Sequence, residues 1–155
     1  MFRAGFACLV GRPNAGKSTL TNALVGSKVA ITSDKPQTTR HTIRGLVHRS
    51  DGQLVLVDTP GVHKPRTLLG ERLNELVRET WAEVDVIVMC FPADEPVGAG
   101  DRYIAGEIGG MKRTPKVAVV TKTDLASRET IAERLLEVDV LAKSHDFEWA
   151  HLVPV

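Results

Sequence analysis

The chain has 155 residues, of which 43% are hydrophobic and 25% charged, with 20 Lys+Arg against 19 Asp+Glu. These values describe one compact globular domain with enough bulk for a core, and they exclude disordered and collagen-like classes. A net charge of +1 excludes a bulk electrostatic binder of nucleic acid or anionic membrane; no apolar run approaches the ~18 residues of a membrane span, and the first residues lack the serial pattern of a secretory signal.

The run Phe6-Ala7-Cys8-Leu9-Val10 reads as a strand covered on both faces. A glycine-rich turn follows, then a helix from Lys17 to Val25. Gly26 to Arg40 is polar and irregular, with Pro36 as a breaker. Thr42 to His48 alternates as a strand, and Ser50-Asp51-Gly52 is a hairpin signal that sends Gln53 to Val57 back antiparallel. Leu69, Leu73, Leu76, Val77, Thr80 and Trp81 fall at helical spacing, predicting an amphipathic helix with that stripe on the sheet. Val84 to Phe91 is a buried strand, Asp101 to Ile108 a short helix and Val117 to Val120 another strand. Ile131, Leu135, Leu136 and Leu141 mark a further helix, and Leu152 to Val155 opens a last strand. The alternation implies an α/β fold, a mostly parallel sheet with one antiparallel strand and helices on both faces. Cys8 and Cys90 lie inside apolar runs and read as buried, reduced thiols of a cytosolic protein. The chain stops within an apolar run, so the expectation is a piece of a longer protein.

Three motifs carry chemistry. Gly11-Arg12-Pro13-Asn14-Ala15-Gly16-Lys17-Ser18, followed by Thr19, fits the phosphate-binding pattern G-x-x-x-x-G-K-[ST], with a strand before it and a helix after. Glycines let backbone N–H groups turn around phosphate oxygens, and the helix N-terminus adds its positive dipole end. Lys17 should bridge the β- and γ-phosphates and Ser18 should ligate Mg2+. Asp58-Thr59-Pro60-Gly61, followed by Val62, closes the strand of Leu54 to Val57; its carboxylate can face the same Mg2+, and the Gly61 N–H can approach a γ-phosphate. Thr121-Lys122-Thr123-Asp124 follows the strand of Val117 to Val120. The Asp124 carboxylate can accept from guanine N1–H and the 2-amino group, which adenine cannot offer, while the Lys122 stem lies over the base plane.

Together these motifs resemble the first, third and fourth signatures of the P-loop small GTPases of the translation-factor class (the TrmE-Era-EngA-like superfamily), and most closely the Era-type family of bacterial ribosome-assembly GTPases. Pro36-Gln37-Thr38-Thr39-Arg40-His41 resembles the Era form of the second signature. The resemblance runs from Phe6 to Val155 and makes residues 1–155 one G domain. It implies GTP and GDP as ligands, Mg2+ as cofactor and hydrolysis of GTP. It assigns Thr39 to Mg2+ in the GTP state, with Thr38 as the alternative, and makes Gly26 to His41 and Asp58 to about Gly70 the two switches.

It further implies 16S rRNA and the small ribosomal subunit as partners through a KH domain beyond Val155, where the fifth signature, a Ser-Ala pair, would also fall. A cytoplasmic location follows, with peripheral attachment to the inner membrane face as a variant.

Two departures bear on mechanism. Thr121 stands where many relatives carry Asn, so base recognition is expected to persist through a hydroxyl. Val62 stands where Ras-like enzymes orient water with Gln, so catalysis is expected to rest on position and charge through Lys17, Thr39 and Gly61, and the resemblance to potassium-activated members implies K+ held by Asn14. The competing view of Asn14 is a turn residue chosen for backbone tolerance. Lys35, Arg40, His41, Arg44, His48 and Arg49 form a basic cluster, read as a solvated face or as an rRNA or KH contact. His63, His145 and His151 lack metal-ligand spacing. Two other functions compete: a nucleotide-binding module with negligible turnover, and an ATP-using P-loop kinase, which the Asp124 motif disfavours.

Overall fold

The computed structural model describes residues 1–26, 42–58 and 67–155, with the side chains of 42–44 and 58 outside that description. Among the described residues six strands form one sheet in the order β2-β3-β1-β4-β5-β6. They are β1 (Arg3–Val10), β2 (Thr42–Arg49), β3 (Gly52–Asp58), β4 (Val86–Pro92), β5 (Lys116–Thr121) and β6 (His151–Pro154). All neighbours pair parallel except the β2–β3 hairpin, as the alternation and the Asp51-Gly52 turn predict.

The helices are α1 (Lys17–Val25), α2 (Leu68–Glu83), α3 (Ala99–Gly109) and α4 (Arg128–Ser144), and a single 3-10 turn spans Thr123–Leu125. Alternation along each strand splits the core into two layers. Cys8, Val10, Ile87, Met89, Phe91, Ala118 and Val120 meet Val77 and Trp81 of α2, Ile104 and Ile108 of α3, and Val138 and Leu141 of α4. On the other face Ala7, Val47 and Leu56 pack with Leu24 and Val25 of α1. Helices therefore cover both faces, three on one side and one on the other among the described residues. Beside α4, Trp149 sits edge-on to Phe91 and Phe147, at centroid distances of 5.9 and 4.9 Å, and its indole N–H donates to the Val138 carbonyl at 2.8 Å. Cys8 and Cys90 are both buried thiols.

Two helix faces differ from the sequence reading. In α2 the buried residues are Asn74, Val77 and Trp81, whereas Leu69, Leu73 and Leu76 are exposed. The helix is turned so that Trp81, its largest apolar side chain, is fully buried, and a two-point pair from Arg78 to the Glu107 carboxylate (2.8 and 2.9 Å) fixes that rotation against α3. In α4, Leu141 is buried as expected but Leu136 is exposed and Val138 takes the core position. Val84 belongs to the end of α2 rather than to β4, because its N–H closes the helix on the Thr80 carbonyl at 3.2 Å.

The topology locates the site. After β1 the chain moves toward β2 and β3; after β4 it moves the other way, to β5 and β6. The carboxyl ends of β1 and β4 thus flank a switch-point crevice, the usual ligand position in open α/β sheets.

Candidate functional site

The segment after β1 is shaped by backbone angles that most side chains avoid. Gly11 has φ 149°, Asn14 φ 65° and Gly16 φ 89°. A Cβ at Gly16 would stand 2.9 Å from the Thr121 hydroxyl, and one at Gly11 2.9 Å from the Cys90 carbonyl oxygen. Both glycines are therefore required by close approach as well as by conformation. The turn closes with the Ala15 N–H on the Arg12 carbonyl at 3.2 Å and delivers the chain into α1. The N-terminus of α1 has no side-chain cap and no acidic residue in its first turn. Its orphan N–H groups and dipole end are left for an anion.

Asn14, Ala15, Gly16, Lys17, Ser18, Thr19 and Lys122 line a cavity of about 280 Å³ at this helix end. The Lys17 ammonium donates to the carbonyls of Gly11 (2.6 Å) and Arg12 (3.0 Å), and that of Lys122 to the Asn14 carbonyl (2.8 Å). Two cations thus rest on the rim of one cradle of amide donors, held by oxygens that an anionic ligand could replace. A larger cleft of about 730 Å³ lies behind Arg12 and Pro13, against α3 and His145. None of its lining residues belongs to α1 and its surface is mainly apolar, so the smaller cavity is the candidate site.

Several residues of the sequence reading sit elsewhere. The Arg12 side chain turns away from the cavity, with Nη1 2.6 Å from Glu95 and Nε 3.1 Å from Asp101. Pro13 lines the larger cleft. Thr121, read as a ligand contact, is buried beneath the loop; its hydroxyl donates to the Ala15 carbonyl at 2.6 Å, with the Phe91 carbonyl at 3.3 Å. It lies on the α1 face of β5, so it braces the loop from below. Thr123 donates to the Val155 carbonyl at 2.6 Å. Asp124 is exposed in the 3-10 turn, two residues beyond Lys122 at the same end of the sheet. Lys122 makes the bend with φ 58°.

Asp58 ends β3 beside β1, at the same end of the sheet as Gly11; its side chain is outside the description. Thr38, Thr39, Thr59, Pro60, Gly61 and Val62 lie outside the described residues, as do Lys35, Arg40, His41, His63 and the side chain of Arg44. Of the remaining basic cluster, His48 and Arg49 are exposed on β2, where His48 meets the Phe2 ring at 6.1 Å.

Sequence reasoning missed Asp101 and Glu95. Asp101 is fully buried, accepts from the Gly98 N–H at 2.9 Å, and leaves Oδ1 without a hydrogen bond among the described residues. Burial pushes its carboxyl above the ordinary range, against the pull of the Gly98 N–H and Arg12. The only trace in sequence was an Asp at the start of an apolar-periodic helix, which reads as a routine cap.

Comparison with known proteins decides the family. Residues 6–122 match the family described as 50S ribosome-binding GTPase. The chain belongs to this GTPase family. It is 70% identical over 153 residues to GTPase Era of Streptomyces coelicolor and 67% identical to that of Nocardioides sp., in each case over 99% of the chain. Those alignments cover 48% and 49% of the relatives, so the chain spans about half their length. Among solved structures, Era in complex with MgGDPNP and nucleotides 1506–1542 of 16S ribosomal RNA is 32% identical at TM-score 0.75, over 100% of this chain and 51% of that one. An Aquifex aeolicus Era variant bound to GDP·AlF4− is 32% identical at TM-score 0.72, over 98% of this chain and 50% of that one.

Proposed function

We propose that this G domain binds GTP and GDP in the cavity at the α1 terminus and hydrolyses GTP to GDP and phosphate as a conformational switch. The observation that carries this reading is the convergence of an uncapped helix N-terminus with Lys17 and Lys122 on one cavity, beside the turn that bears Asp124. The amides of Asn14 to Thr19 would wrap the phosphates. Lys17 would leave the Gly11 and Arg12 carbonyls for the β- and γ-phosphate oxygens. Asp124 would accept from the guanine edge.

Mg2+ suits the residues at hand: Ser18 lines the cavity, and a hydroxyl, a carboxylate and phosphate oxygens form the hard oxygen donor set that Mg2+ takes. Ser18, Thr39 (or Thr38) and Asp58 would hold it, and when bound it would neutralise charge on the phosphates. The Gly61 N–H would meet the γ-phosphate. Asn14, whose left-handed backbone is accounted for by the turn, would direct its side-chain oxygen at K+. In the longer protein the switch would act on 16S rRNA in small-subunit assembly, in the cytoplasm. Peripheral membrane attachment rests on the family resemblance; no described helix is long and apolar enough to cross a membrane.

Competition against fluorescent GDP tests the core of this reading. GTP should displace it and ATP should not, and Asp124→Asn should shift preference to xanthosine nucleotides. Equal displacement by ATP would refute the base assignment. Single-turnover hydrolysis then separates a GTPase from a module that only binds. Equal rates in K+ and Na+ for the unmodified chain and Asn14→Ala would remove the potassium role.

A further inference from the structure

We propose that Arg12 is a positioning residue for nucleotide binding: a strut across the switch-point crevice, anchored on the buried carboxylate of Asp101, that sets the shape of the phosphate loop. This rests on the nucleotide reading above and extends it to residues outside the cavity.

Arg12 follows β1, whereas Glu95 and Asp101 follow β4, so the contacts at 2.6 and 3.1 Å join the two sides of the crevice. The far side is firmly held. The Ala93 N–H donates to the Thr121 carbonyl at 2.8 Å, buried Arg134 donates to the Ala93 carbonyl at 3.0 Å, and the Val97 N–H donates to Glu137 at 3.0 Å. The near side is the loop itself. The carbonyl of Arg12 accepts from the Ala15 N–H and from the Lys17 ammonium. One residue therefore grips a buried carboxylate with its side chain and the turn into α1 with its main chain, and Lys17 rests on the same carbonyl until a phosphate draws it away.

The chemistry is costly as a stability device. Arg12 Nε meets Asp101 as an ion pair without hydrogen-bond geometry, and Arg12 Nη2 and Asp101 Oδ1 are buried without hydrogen bonds among the described residues. A buried pair left part-satisfied seldom outperforms an apolar substitute. Held charge at the root of a ligand-binding loop fits orientation better than it fits stability.

Dissociation of fluorescent GDP should be followed for the unmodified protein, Arg12→Lys, Arg12→Ala, Asp101→Asn and Glu95→Gln, with fluorescent ADP as control and thermal unfolding measured without nucleotide. Arg12→Ala and Asp101→Asn should each speed GDP release about tenfold or more, the double variant should be no faster than the faster single one, and Arg12→Lys should restore part of the loss. Glu95→Gln, at the exposed end, should stay within about threefold. GDP release within twofold of the unmodified protein for every Arg12 variant, with only the melting temperature lowered, would overturn the proposal. Because Arg12 is partly exposed, its variants carry the test even if Asp101→Asn does not fold. If the unmodified protein binds fluorescent ADP as well as GDP, the nucleotide reading itself fails; normal GDP selectivity with unchanged release overturns only the strut.

Discussion

The two ends of the candidate site are made of different material. The end proposed for phosphate is mostly main chain: left-handed residues at Asn14 and Gly16 and an uncapped helix terminus, with two lysines resting on loop carbonyls. The end proposed for the base is side chain: one exposed carboxylate, Asp124, on a 3-10 turn. A main-chain cradle depends on the absence of a Cβ and tolerates many neighbouring side chains, whereas a side-chain reader depends on one functional group and tolerates some backbone play. Grip and choice are therefore lost by different kinds of substitution.

The strongest way to break the phosphate end is Gly16→Val. It adds a left-handed β-branched residue and a 2.9 Å approach to the Thr121 hydroxyl. Guanine-nucleotide affinity should fall by about 100-fold or more, read by titration with fluorescent GDP. Asp124→Ala attacks the other end alone: affinity for GDP should drop by about 2–3 kcal/mol while inorganic tripolyphosphate, competed in the same assay, binds as before. A matching loss for tripolyphosphate would erase the distinction between the ends.

Thr121→Val tests the brace between them. It keeps the shape, removes the donor and leaves the Ala15 carbonyl unpaired, so denaturant unfolding should show a loss of about 1–2 kcal/mol. The smallest effect is alkaline. Burial pushes the Cys90 thiol, below the loop, up from 9.0 to about 12, although Lys17 pulls the other way. The folded state disfavours the thiolate, so this contribution is complete below pH about 9 and is lost progressively between 9 and 12. Thiol reagents at pH 8 should not modify Cys90 until the protein unfolds, and Cys90→Ala should flatten the alkaline slope of stability.

Much of this architecture is legible in the amino-acid sequence alone. The order of strands and helices follows from Phe6–Val10, the Asp51-Gly52 turn and the Val117–Val120 run, because short apolar runs and turn residues act locally. The loop is legible because glycine spacing reports backbone need directly. The rotation of α2 is not: Leu69, Leu73 and Leu76 have the right period, but Trp81 and the Arg78–Glu107 pair decide which stripe is buried. Nor is the inward turn of Arg12, since its partners lie 83 and 89 positions along the chain. Thr121 reads from the sequence as a ligand contact and not as a brace, because a hydroxyl carries no label for the direction it faces.

One strand end ties both tasks together. Thr121 and Lys122 are consecutive, and they fasten to the carbonyls of Ala15 and Asn14, also consecutive. A backbone shift at this corner would move the loop that lines the cavity proposed for phosphate. A displacement of this backbone corner would therefore couple the two ends, whereas a change confined to the Asp124 side chain would leave them separate.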